Sequence, residues 1–169
     1  MDSTLFHFVN DIAGKSTILD NIMILFSRFG IFAFILSIII FLFIKNKRSI
    51  ASYGIFSIVF ALLTSRALKY LIDRDRPFVV EDVNLLFEKL ASPSFPSDQA
   101  TICGVFIACF WMLSPKWRWL TLILGLLVAI SRIFVGHHYP SDVLSGLIIG
   151  IVFFTIVYKI NPLKKSTIA

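Results

Sequence analysis

Residues 29–44 read FGIFAFILSIIIFLFI, and residues 45–48 read KNKR. The first run contains no charged side chain and approaches the roughly 20 apolar residues that a helix needs to cross a bilayer. A basic turn directly after such a run is typical of the cytoplasmic end of a membrane span. This stretch therefore predicts a membrane-spanning helix whose carboxyl end faces the cytoplasm.

The composition of the whole chain agrees with a membrane protein. Of its 169 residues, 57% are hydrophobic and 15% are charged, whereas soluble domains carry about 25% charged residues. A soluble domain of this length has too much surface to hide so many apolar side chains. The composition excludes a soluble domain, a disordered chain, a disulfide-stapled secreted fold and a nucleic-acid-binding module, so we expect no nucleic-acid partner.

Four further apolar segments accompany residues 29–44, at residues 50–72, 100–113, 117–135 and 143–160. We predict an all-α, polytopic membrane helix bundle that forms a single domain over residues 1–169. Residues 1–28 are predicted to form two amphipathic helices at the outer interface, which leaves five transmembrane helices. The alternative is a sixth, tilted span within that N-terminal segment.

The basic residues set the predicted orientation of the bundle. Half of the 16 Lys and Arg residues flank the ends that residues 45–48 mark as cytoplasmic; they are Lys45, Lys47, Arg48, Lys116, Arg118, Lys159, Lys164 and Lys165. The positive-inside rule places these ends, and the carboxyl terminus, in the cytoplasm. Residues 73–98 and 136–142 are then predicted to face the extracytoplasmic side.

Three polar clusters interrupt the apolar pattern, and all three fall at the predicted outer face. The first runs from Lys69 to Pro77. Lys69 and Arg76 lie seven residues apart, which places them on one helical face, and Pro77 is expected to end the helix. Ionisable groups at membrane depth are expensive and indicate a functional site. The alternative is a basic rim whose side chains reach towards the headgroups.

The second cluster, residues 94–99, reads SFPSDQ and directly precedes the apolar segment 100–113. Pro with Ser and Asp beside it is typical of an ordinary helix start. A helix N-terminus also offers free N–H groups and a partial positive charge, which suit a phosphate group. Both interpretations stay open on this cluster alone.

The third cluster, residues 131–142, reads SRIFVGHHYPSD and joins the last two apolar segments. Pro140 marks the beginning of a helix, and His138 and Asp142 share a face if that helix starts early. An Asp that accepts a hydrogen bond from one ring nitrogen leaves the other free to attack an electrophile. A polar helix cap is the ordinary alternative, and His137 is expected to pack or cap.

Together the three clusters indicate phosphoryl transfer. They contribute a histidine beside a carboxylate, two helix N-termini with free N–H donors, and the cations of Lys69, Arg76 and Arg132. Catalysis of phosphoryl transfer consists largely of positioning and charge stabilisation, which this set can supply. A lipid phosphate in the outer leaflet fits a site at the predicted outer face.

The same stretches resemble the three-part signature of the type-2 phosphatidic acid phosphatase superfamily, which reads Lys-x6-Arg-Pro, Pro-Ser-Gly-His and Ser-Arg-x5-His-x3-Asp. Residues 69–77 and 131–142 match the first and third parts at every defined position. The stretches RPFV (76–79), SFPSD (94–98) and GHHYP (136–140) resemble, more narrowly, the bacitracin-resistance branch of undecaprenyl diphosphate phosphatases.

The resemblance implies roles for individual residues. His138 would be the nucleophile that forms a phosphohistidine, and Asp142 would orient it. Phosphoryl oxygens would be held by the N–H groups after residue 97 and by Lys69, Arg76, Ser97, Asp98 and Arg132.

The resemblance also implies a reaction without a metal ion or other cofactor. Asp73 and Asp75 form the one Asp-x-Asp pair that is suited to Mg²⁺. Because the family needs no metal, we interpret these two carboxylates as countercharges to Arg74 and Arg76. The expected partners are membrane lipids and a lipid diphosphate substrate; the oligomeric state is left open.

The second part of the signature departs from the family at two positions. Asp98 stands where many members have Gly, as it does in the bacitracin-resistance branch. Gln99 stands where the family has a catalytic His that protonates the leaving group. Gln cannot donate a proton near neutral pH, and the loss of such assistance slows a reaction roughly 10²–10⁴-fold. Reduced turnover is therefore expected, and a phosphate leaving group softens the effect.

Two explanations of Gln99 stay open. One is an introduced His-to-Gln change that keeps substrate binding and slows turnover. The otherwise intact signature favours this explanation. The other is a natural variant that tolerates the loss.

The resemblance thus predicts hydrolysis of undecaprenyl diphosphate to undecaprenyl phosphate and phosphate, at the outer face of a bacterial cytoplasmic membrane. Such a reaction would recycle the lipid carrier of cell-wall synthesis and raise tolerance to bacitracin. The alternatives are a phosphatase acting on phosphatidylglycerophosphate or phosphatidic acid, and an inactive scaffold that binds lipid phosphates.

Overall fold

The computed structural model describes residues 1–160, and every regular element in that range is helical. The helices are α1 (Asp2–Asn10), α2 (Thr17–Leu42), α3 (Arg48–Ile72), α4 (Pro77–Val80), α5 (Asp98–Leu113), α6 (Arg118–Phe134) and α7 (Pro140–Ile160). A 3₁₀ turn at Pro115–Trp117 precedes α6. The predicted all-α helical bundle is confirmed.

Four stretches of the described chain are long and apolar enough to cross a membrane; they are Thr17–Leu42, Arg48–Val80, Pro115–Phe134 and Pro140–Ile160. Helix α5 is apolar as well but has 16 residues, fewer than the roughly 20 that a span needs. By length and composition, residues 1–160 therefore hold four candidate spans, where the sequence predicted five to six. Large side chains on these helices are exposed, including Phe32 and Phe56, as a lipid-facing surface requires.

The N-terminal segment differs from the prediction. Helix α2 begins at Thr17, so residues 19–26 form the first turns of a candidate span and not a separate interfacial helix. Ser16 caps this helix, since its side-chain oxygen accepts a hydrogen bond from the N–H of Leu19 at 3.5 Å. Helix α1 has 9 residues and is too short for the alternative sixth span.

Two polar side chains explain why the sequence predicted a span that starts at residue 29, whereas α2 begins at Thr17. Asp20 and Arg28 interrupt the apolar run, yet both have partners in the structure. The Asp20 carboxylate accepts a hydrogen bond from the N–H of Gly14 at 3.1 Å, and the Arg28 guanidinium lies 4.3 Å from the centre of the Phe87 ring. The helix therefore passes through both positions.

Helix α5 lies at the centre of the bundle and packs most extensively against α7. Two glycines on α7 allow this close approach. A Cβ atom at Gly146 would lie 2.6 Å from the carbonyl oxygen of Ser97, and one at Gly150 would collide with the carbonyl oxygen of Thr101. Because Gly146 and Gly150 have no side chain, the start of α5 lies directly beside the start of α7.

The basic turns between the helices gather at one end of the bundle. At this end Lys47 donates a hydrogen bond to the carbonyl of Leu113, and Lys159 borders a recess beside the last turns of α5. The basic turns that were predicted to be cytoplasmic therefore lie together. Lys164 and Lys165 belong to the same prediction and lie outside the described residues. The opposite end gathers α1, the ends of α3 and α6, and the starts of α5 and α7.

Candidate active site

All eight residues that the sequence singled out lie at this second end. They come from the last turn of α3 (Lys69), the residue before α4 (Arg76), the start of α5 (Ser97, Asp98, Gln99), the last turn of α6 (Arg132), and the start of α7 with the turn before it (His138, Asp142). Three stretches that are distant in sequence, residues 69–76, 97–99 and 132–142, thus meet at this end.

His138 is buried between Asp142 and Arg76. Its Nδ1 atom lies 3.6 Å from Oδ2 of Asp142, and its Nε2 atom lies 3.0 Å from Nη1 of Arg76. A guanidinium group only donates hydrogen bonds, so Nε2 is the unprotonated acceptor and the ring proton is on Nδ1, facing the carboxylate. Helix α7 begins at Pro140, so His138 precedes the helix and reaches Asp142 from the turn before it.

The surroundings of His138 keep its ring neutral. Burial, followed by the positive charges of Arg76 and Arg132, lowers the pKa of His138 well below its usual 6.5. The imidazole therefore carries no charge near neutral pH. A neutral ring whose free nitrogen faces a cation is suited to attack an anionic electrophile that the same cation attracts.

Asp142 is fully buried and has two partners beside His138. Its Oδ2 atom accepts a hydrogen bond from the N–H of Tyr139 at 2.9 Å, and its Oδ1 atom accepts one from Nη1 of Arg74 at 3.0 Å. The same guanidinium donates to Asp2 at 2.8 Å. Neither Arg74 nor Asp2 was among the site residues predicted from the sequence.

The expected pairing of Asp73 and Asp75 with Arg74 and Arg76 is wrong. The carboxylates that pair with Arg74 are those of Asp2 and Asp142, and both Asp73 and Asp75 are exposed. The reason is local: α3 ends at Ile72, and Asp73 adopts the left-handed conformation with φ of 42°. The chain turns there, so the next side chains no longer follow the helix.

The same turn corrects a second expectation, that Lys69 and Arg76 share one helical face. Arg76 lies beyond α3 in an extended conformation, directly before Pro77. Its guanidinium is buried and anchored by backbone and side-chain oxygens. It donates to the carbonyl of Ser92 at 2.8 Å, to Oγ of Ser92 at 3.1 Å, and to the carbonyl of His137 at 3.0 Å.

Lys69 lies beside the start of α5. Its Nζ atom donates to the carbonyl of Pro96 at 2.6 Å and lies 3.7 Å from Oδ2 of Asp98. Asp98 in turn accepts a hydrogen bond from Oγ of Ser65 at 2.7 Å. Asp98 therefore pairs with Lys69, and the hydroxyl of Ser65 fixes the position of Asp98. Ser65 is not part of any sequence motif.

Ser97 caps helix α5. Its Oγ atom accepts a hydrogen bond from the N–H of Ala100 at 3.4 Å, and its own N–H donates to the carbonyl of Asp142 at 3.1 Å. The second contact ties the start of α5 directly to the start of α7. The N-terminal end of α5 thereby lies next to the His138–Asp142 pair.

Arg132 is buried and held by α2 and by the turn that follows α6. Its Nη1 atom donates to the carbonyl and the hydroxyl of Ser27 on α2, and its Nη2 atom donates to Nδ1 of His137 at 2.8 Å. The other ring nitrogen of His137 donates to the carbonyl of Phe87 at 3.0 Å. Burial and the charge of Arg132 lower the pKa of His137 to about 3, so this ring remains a neutral support for the arginine.

Three buried side-chain atoms have no hydrogen-bond partner within residues 1–160: Oε1 of Gln99, Nε of Arg132 and Nδ1 of His138. Buried polar atoms are almost always bonded, and an exception calls for an explanation such as a catalytic role. All three atoms belong to the residues that the sequence had singled out. The unsatisfied polar groups therefore mark the same end of the bundle.

Lys89 is a further cation that the sequence analysis missed. It lies in the segment between α4 and α5, is half-buried, and interacts electrostatically with Arg132, Arg76 and Lys69. Burial, followed by the repulsion of these cations, lowers the pKa of Lys89 to about 7. Its location in the predicted outer segment 73–98 was the one signal available, because no motif includes it.

A neutral buried histidine, the carboxylate of Asp142 and the cations of Lys69, Arg76, Lys89 and Arg132 lie together at one end of this helix bundle. The chain belongs to the PAP2 superfamily, whose sequence model matches residues 50–166. The protein is thus a multi-pass membrane protein of a lipid phosphatase family, as the three-part signature predicted.

Individual relatives support this assignment. Undecaprenyl-diphosphatase BcrC of Bacillus subtilis is 30% identical over 168 residues, which cover 98% of this chain and 86% of that protein. A lipid A 1-phosphatase of Rhizobium johnstonii is 37% identical over 106 residues, 60% of this chain and 43% of that protein. Their names specify different lipids, so they establish the class of enzyme and not the substrate of this chain.

Two solved structures share the fold. The crystal structure of Aquifex aeolicus LpxE matches with a TM-score of 0.81 and 28% identity, covering 94% of each chain. The crystal structure of a PAP2-type phosphatidylglycerolphosphate phosphatase from Bacillus subtilis matches with a TM-score of 0.70 and 21% identity, covering 95% of this chain and 88% of that one. This chain therefore shares its helix arrangement with both proteins, the second of which is a transmembrane PAP2-type phosphatase.

Proposed function

We propose that this protein hydrolyses undecaprenyl diphosphate to undecaprenyl phosphate and phosphate at the extracytoplasmic face of a bacterial cytoplasmic membrane. The observation that carries the proposal is the state of His138: buried, neutral, with Nε2 unprotonated beside Arg76 and Nδ1 facing Asp142. Similarity to the Bacillus subtilis undecaprenyl-diphosphatase over 98% of the chain supports the choice of substrate.

In the first step, Nε2 of His138 attacks the terminal phosphorus of the diphosphate. The bond from that phosphorus to the bridging oxygen breaks, and its electron pair leaves on undecaprenyl phosphate. The new phosphohistidine carries a positive ring, which the carboxylate of Asp142 stabilises through the Nδ1 proton. In the second step, water attacks the same phosphorus, the N–P bond breaks, and dihydrogen phosphate leaves with the neutral ring restored.

The cations act on the phosphoryl oxygens during both steps. Arg76 exchanges its contact with Nε2 of His138 for an oxygen of the substrate, and the unpartnered Nε of Arg132 takes another. The N-terminal N–H groups of α5 supply further donors. Because Arg132 and the start of α5 are held in place before the substrate arrives, these groups stabilise the transition state with little rearrangement.

A membrane-facing groove supports a lipid as the substrate. It lies between α2, α3 and α5, has a volume of about 380 Å³, and ends at the polar side chains of Arg66, Asp98 and Gln99. The rest of its lining is apolar; it consists of Ile31, Val59, Leu62, Leu63 and Ile102. A prenyl chain in this groove would bring its phosphate end to the start of α5.

Gln99 favours a diphosphate over a phosphate ester. When a diphosphate is cleaved, the leaving group is a phosphate, which departs as a stable anion without taking up a proton. When phosphatidic acid or phosphatidylglycerophosphate is cleaved, the leaving group is an alkoxide, which needs a proton donor. Gln99 supplies no proton at neutral pH, so its presence disfavours the two phosphate esters.

An inactive scaffold that binds lipid phosphates is the second candidate, and Gln99 is the observation that favours it. The two candidates share the cation cluster and differ in turnover. The scaffold requires that a histidine at position 99 restores no activity, whereas the phosphatase requires that it raises an activity already present.

Phosphate release in proteoliposomes tests these proposals. The substrates are undecaprenyl diphosphate, phosphatidylglycerophosphate and phosphatidic acid, and the proteins are the unsubstituted chain, Gln99→His and His138→Ala. We expect release from undecaprenyl diphosphate above the other two lipids, an increase with Gln99→His, and none with His138→Ala. A preference for phosphatidylglycerophosphate would contradict the proposal that undecaprenyl diphosphate is the substrate. No phosphate release by the unsubstituted chain or by Gln99→His would favour the scaffold.

A further inference from the structure

The short N-terminal helix α1 is attached to the candidate active site by its first residue. The Asp2 carboxylate accepts a hydrogen bond from Nη2 of Arg74 at 2.8 Å and one from Oγ of Ser141 at 2.5 Å. It also accepts one from the N–H of Ser141 at 3.0 Å. Ser141 directly precedes Asp142, so α1 holds the first turn of α7 at the position of the buried carboxylate.

Arg74 connects this attachment to Asp142. Its Nη1 atom donates to Oδ1 of Asp142 at 3.0 Å and to Oγ of Ser141 at 2.7 Å, while Nη2 donates to Asp2. The Cζ atom of Arg74 lies over the Tyr139 ring, 4.0 Å from its centre. The planar guanidinium of Arg74 is bound by Asp2 on one side and packs against the Tyr139 ring, so its orientation is fixed. It then fixes the orientation of the Asp142 carboxylate on its other side.

A second set of contacts secures the rest of α1. Nε2 of His7 lies 3.0 Å from Oε2 of Glu81, and Oε1 of Glu81 accepts a hydrogen bond from the hydroxyl of Tyr139 at 2.6 Å. Asn10 donates to the carbonyl of Phe134 at 2.8 Å. Helix α1 is therefore anchored along its length, to Glu81 just after α4 and to the end of α6.

We propose that Asp2 and Arg74 are positioning residues for the His138–Asp142 pair, so that α1 is a working part of the active site. Arg74 fixes Oδ1 of Asp142 and so leaves Oδ2 directed towards Nδ1 of His138, 3.6 Å away. Asp2 acts through Arg74. The proposal rests on the proposed function, in which Asp142 stabilises the positive ring of phosphohistidine.

The contacts of Arg74 also predict how its substitution changes kcat and KM. The guanidinium is committed to Asp2, Ser141 and Asp142, and none of the three residues is a phosphate ligand in the proposed reaction. Loss of Arg74 therefore lets the buried carboxylate turn away from His138 without removing a substrate contact. The turnover number kcat falls, and KM stays close to its original value.

Asp2→Asn and Asp11→Asn form a matched pair of variants. Both exchange one carboxylate of the N-terminal segment, but Asp11 contacts only His7 among the described ion pairs and is 62% exposed. We expect kcat to fall about 10-fold for Asp2→Asn and about 10²-fold for Arg74→Gln, the scale of loss for a slightly misplaced catalytic group. Arg74→Lys should recover part of kcat, and Asp11→Asn should match the unsubstituted chain.

The double variant Asp2→Asn/Arg74→Gln separates positioning from a general loss of folding. If Asp2 acts mainly through Arg74, its substitution costs less once Arg74 is gone, and the kcat of the double variant lies well above the value expected from multiplying the two single effects. Phosphate release from undecaprenyl diphosphate is measured for all variants, with and without Gln99→His, alongside the unfolding midpoint of each.

Three results would overturn the proposal. One is an Asp2→Asn variant whose kcat equals that of Asp11→Asn while the unsubstituted chain is active; the proposed function then survives and only the positioning role fails. The second is a multiplicative effect in the double variant. The third is a complete lack of phosphate release by the unsubstituted and Gln99→His chains, which overturns the positioning role and the proposed function together.

Discussion

The Nη1 atom of Arg76 lies 3.0 Å from Nε2 of His138 and also 3.0 Å from the carbonyl oxygen of His137. One guanidinium nitrogen therefore holds the proposed nucleophile and the backbone next to it. The other nitrogens of Arg76 are bound to Ser92. The arginine is thus fixed on the segment before α5, and in the proposed reaction the phosphoryl group enters between the guanidinium and the histidine.

Arg76→Lys is expected to lower kcat/KM for undecaprenyl diphosphate by about 10²-fold, because an ammonium group cannot donate in the several fixed directions of a guanidinium. The measurement is steady-state phosphate release. Arg48→Lys, an exposed position at the opposite end of the bundle, is the matched control and should leave the rate unchanged. An Arg76→Lys variant within twofold of the unsubstituted chain would remove Arg76 from the proposed mechanism.

A covalent label is expected on His138. Undecaprenyl diphosphate labelled with ³²P in its terminal phosphate should transfer the label to the protein during turnover, in an acid-labile and base-stable bond. His138→Ala should abolish labelling, since no other described histidine lies beside Asp142. His7→Gln, at the protein surface, should keep the label. Labelling that persists in His138→Ala would exclude this residue as the nucleophile.

The charge of Lys89 is expected to make kcat/KM depend on pH. With a pKa of about 7, Lys89 is a cation below pH 7 and becomes neutral above it, so kcat/KM should fall as pH rises from 6 to 8. His138, whose pKa is well below 6.5, does not titrate in this range. The pH dependence of kcat/KM reports groups of the free enzyme, together with those of the substrate.

Lys89→Arg separates the lysine from the substrate's own ionisation. Arginine keeps its charge over this pH range, so this variant should lack the part of the fall that Lys89 causes, whereas the substrate ionises alike in both proteins. Lys89→Met should have a low kcat/KM throughout. Identical pH profiles of Lys89→Arg and the unsubstituted chain would show that Lys89 does not contribute.

Gly150→Ala is expected to destabilise the bundle and lower activity. The added methyl group meets the carbonyl oxygen of Thr101, and α7 must move away from α5. Such overpacking costs roughly 1–3 kcal/mol. Ile148→Ala, at a half-exposed position on the same helix, is the control. The unfolding midpoint in detergent should fall for Gly150→Ala well below that of the control; equal midpoints would contradict the proposed packing constraint.

Much of the fold and of the site could be predicted because their signals are local. Apolar runs with basic residues near one end predicted α3, α6 and α7, and Pro140 correctly marked the start of α7. The start of α2 was missed because Asp20 and Arg28 interrupt its pattern, and their compensating partners lie elsewhere in the chain.

The sequence by itself determined that the eight predicted residues gather at one end of the bundle, because the spacing of the signature and the alternating direction of the helices bring them there. Only the tertiary structure decided which partner each charge takes. Arg74 bypasses its neighbours Asp73 and Asp75 and pairs with Asp2 and Asp142, 72 and 68 positions away. A buried charge is stabilised by the opposite charge that helix packing brings within reach, and separation along the chain does not set that distance.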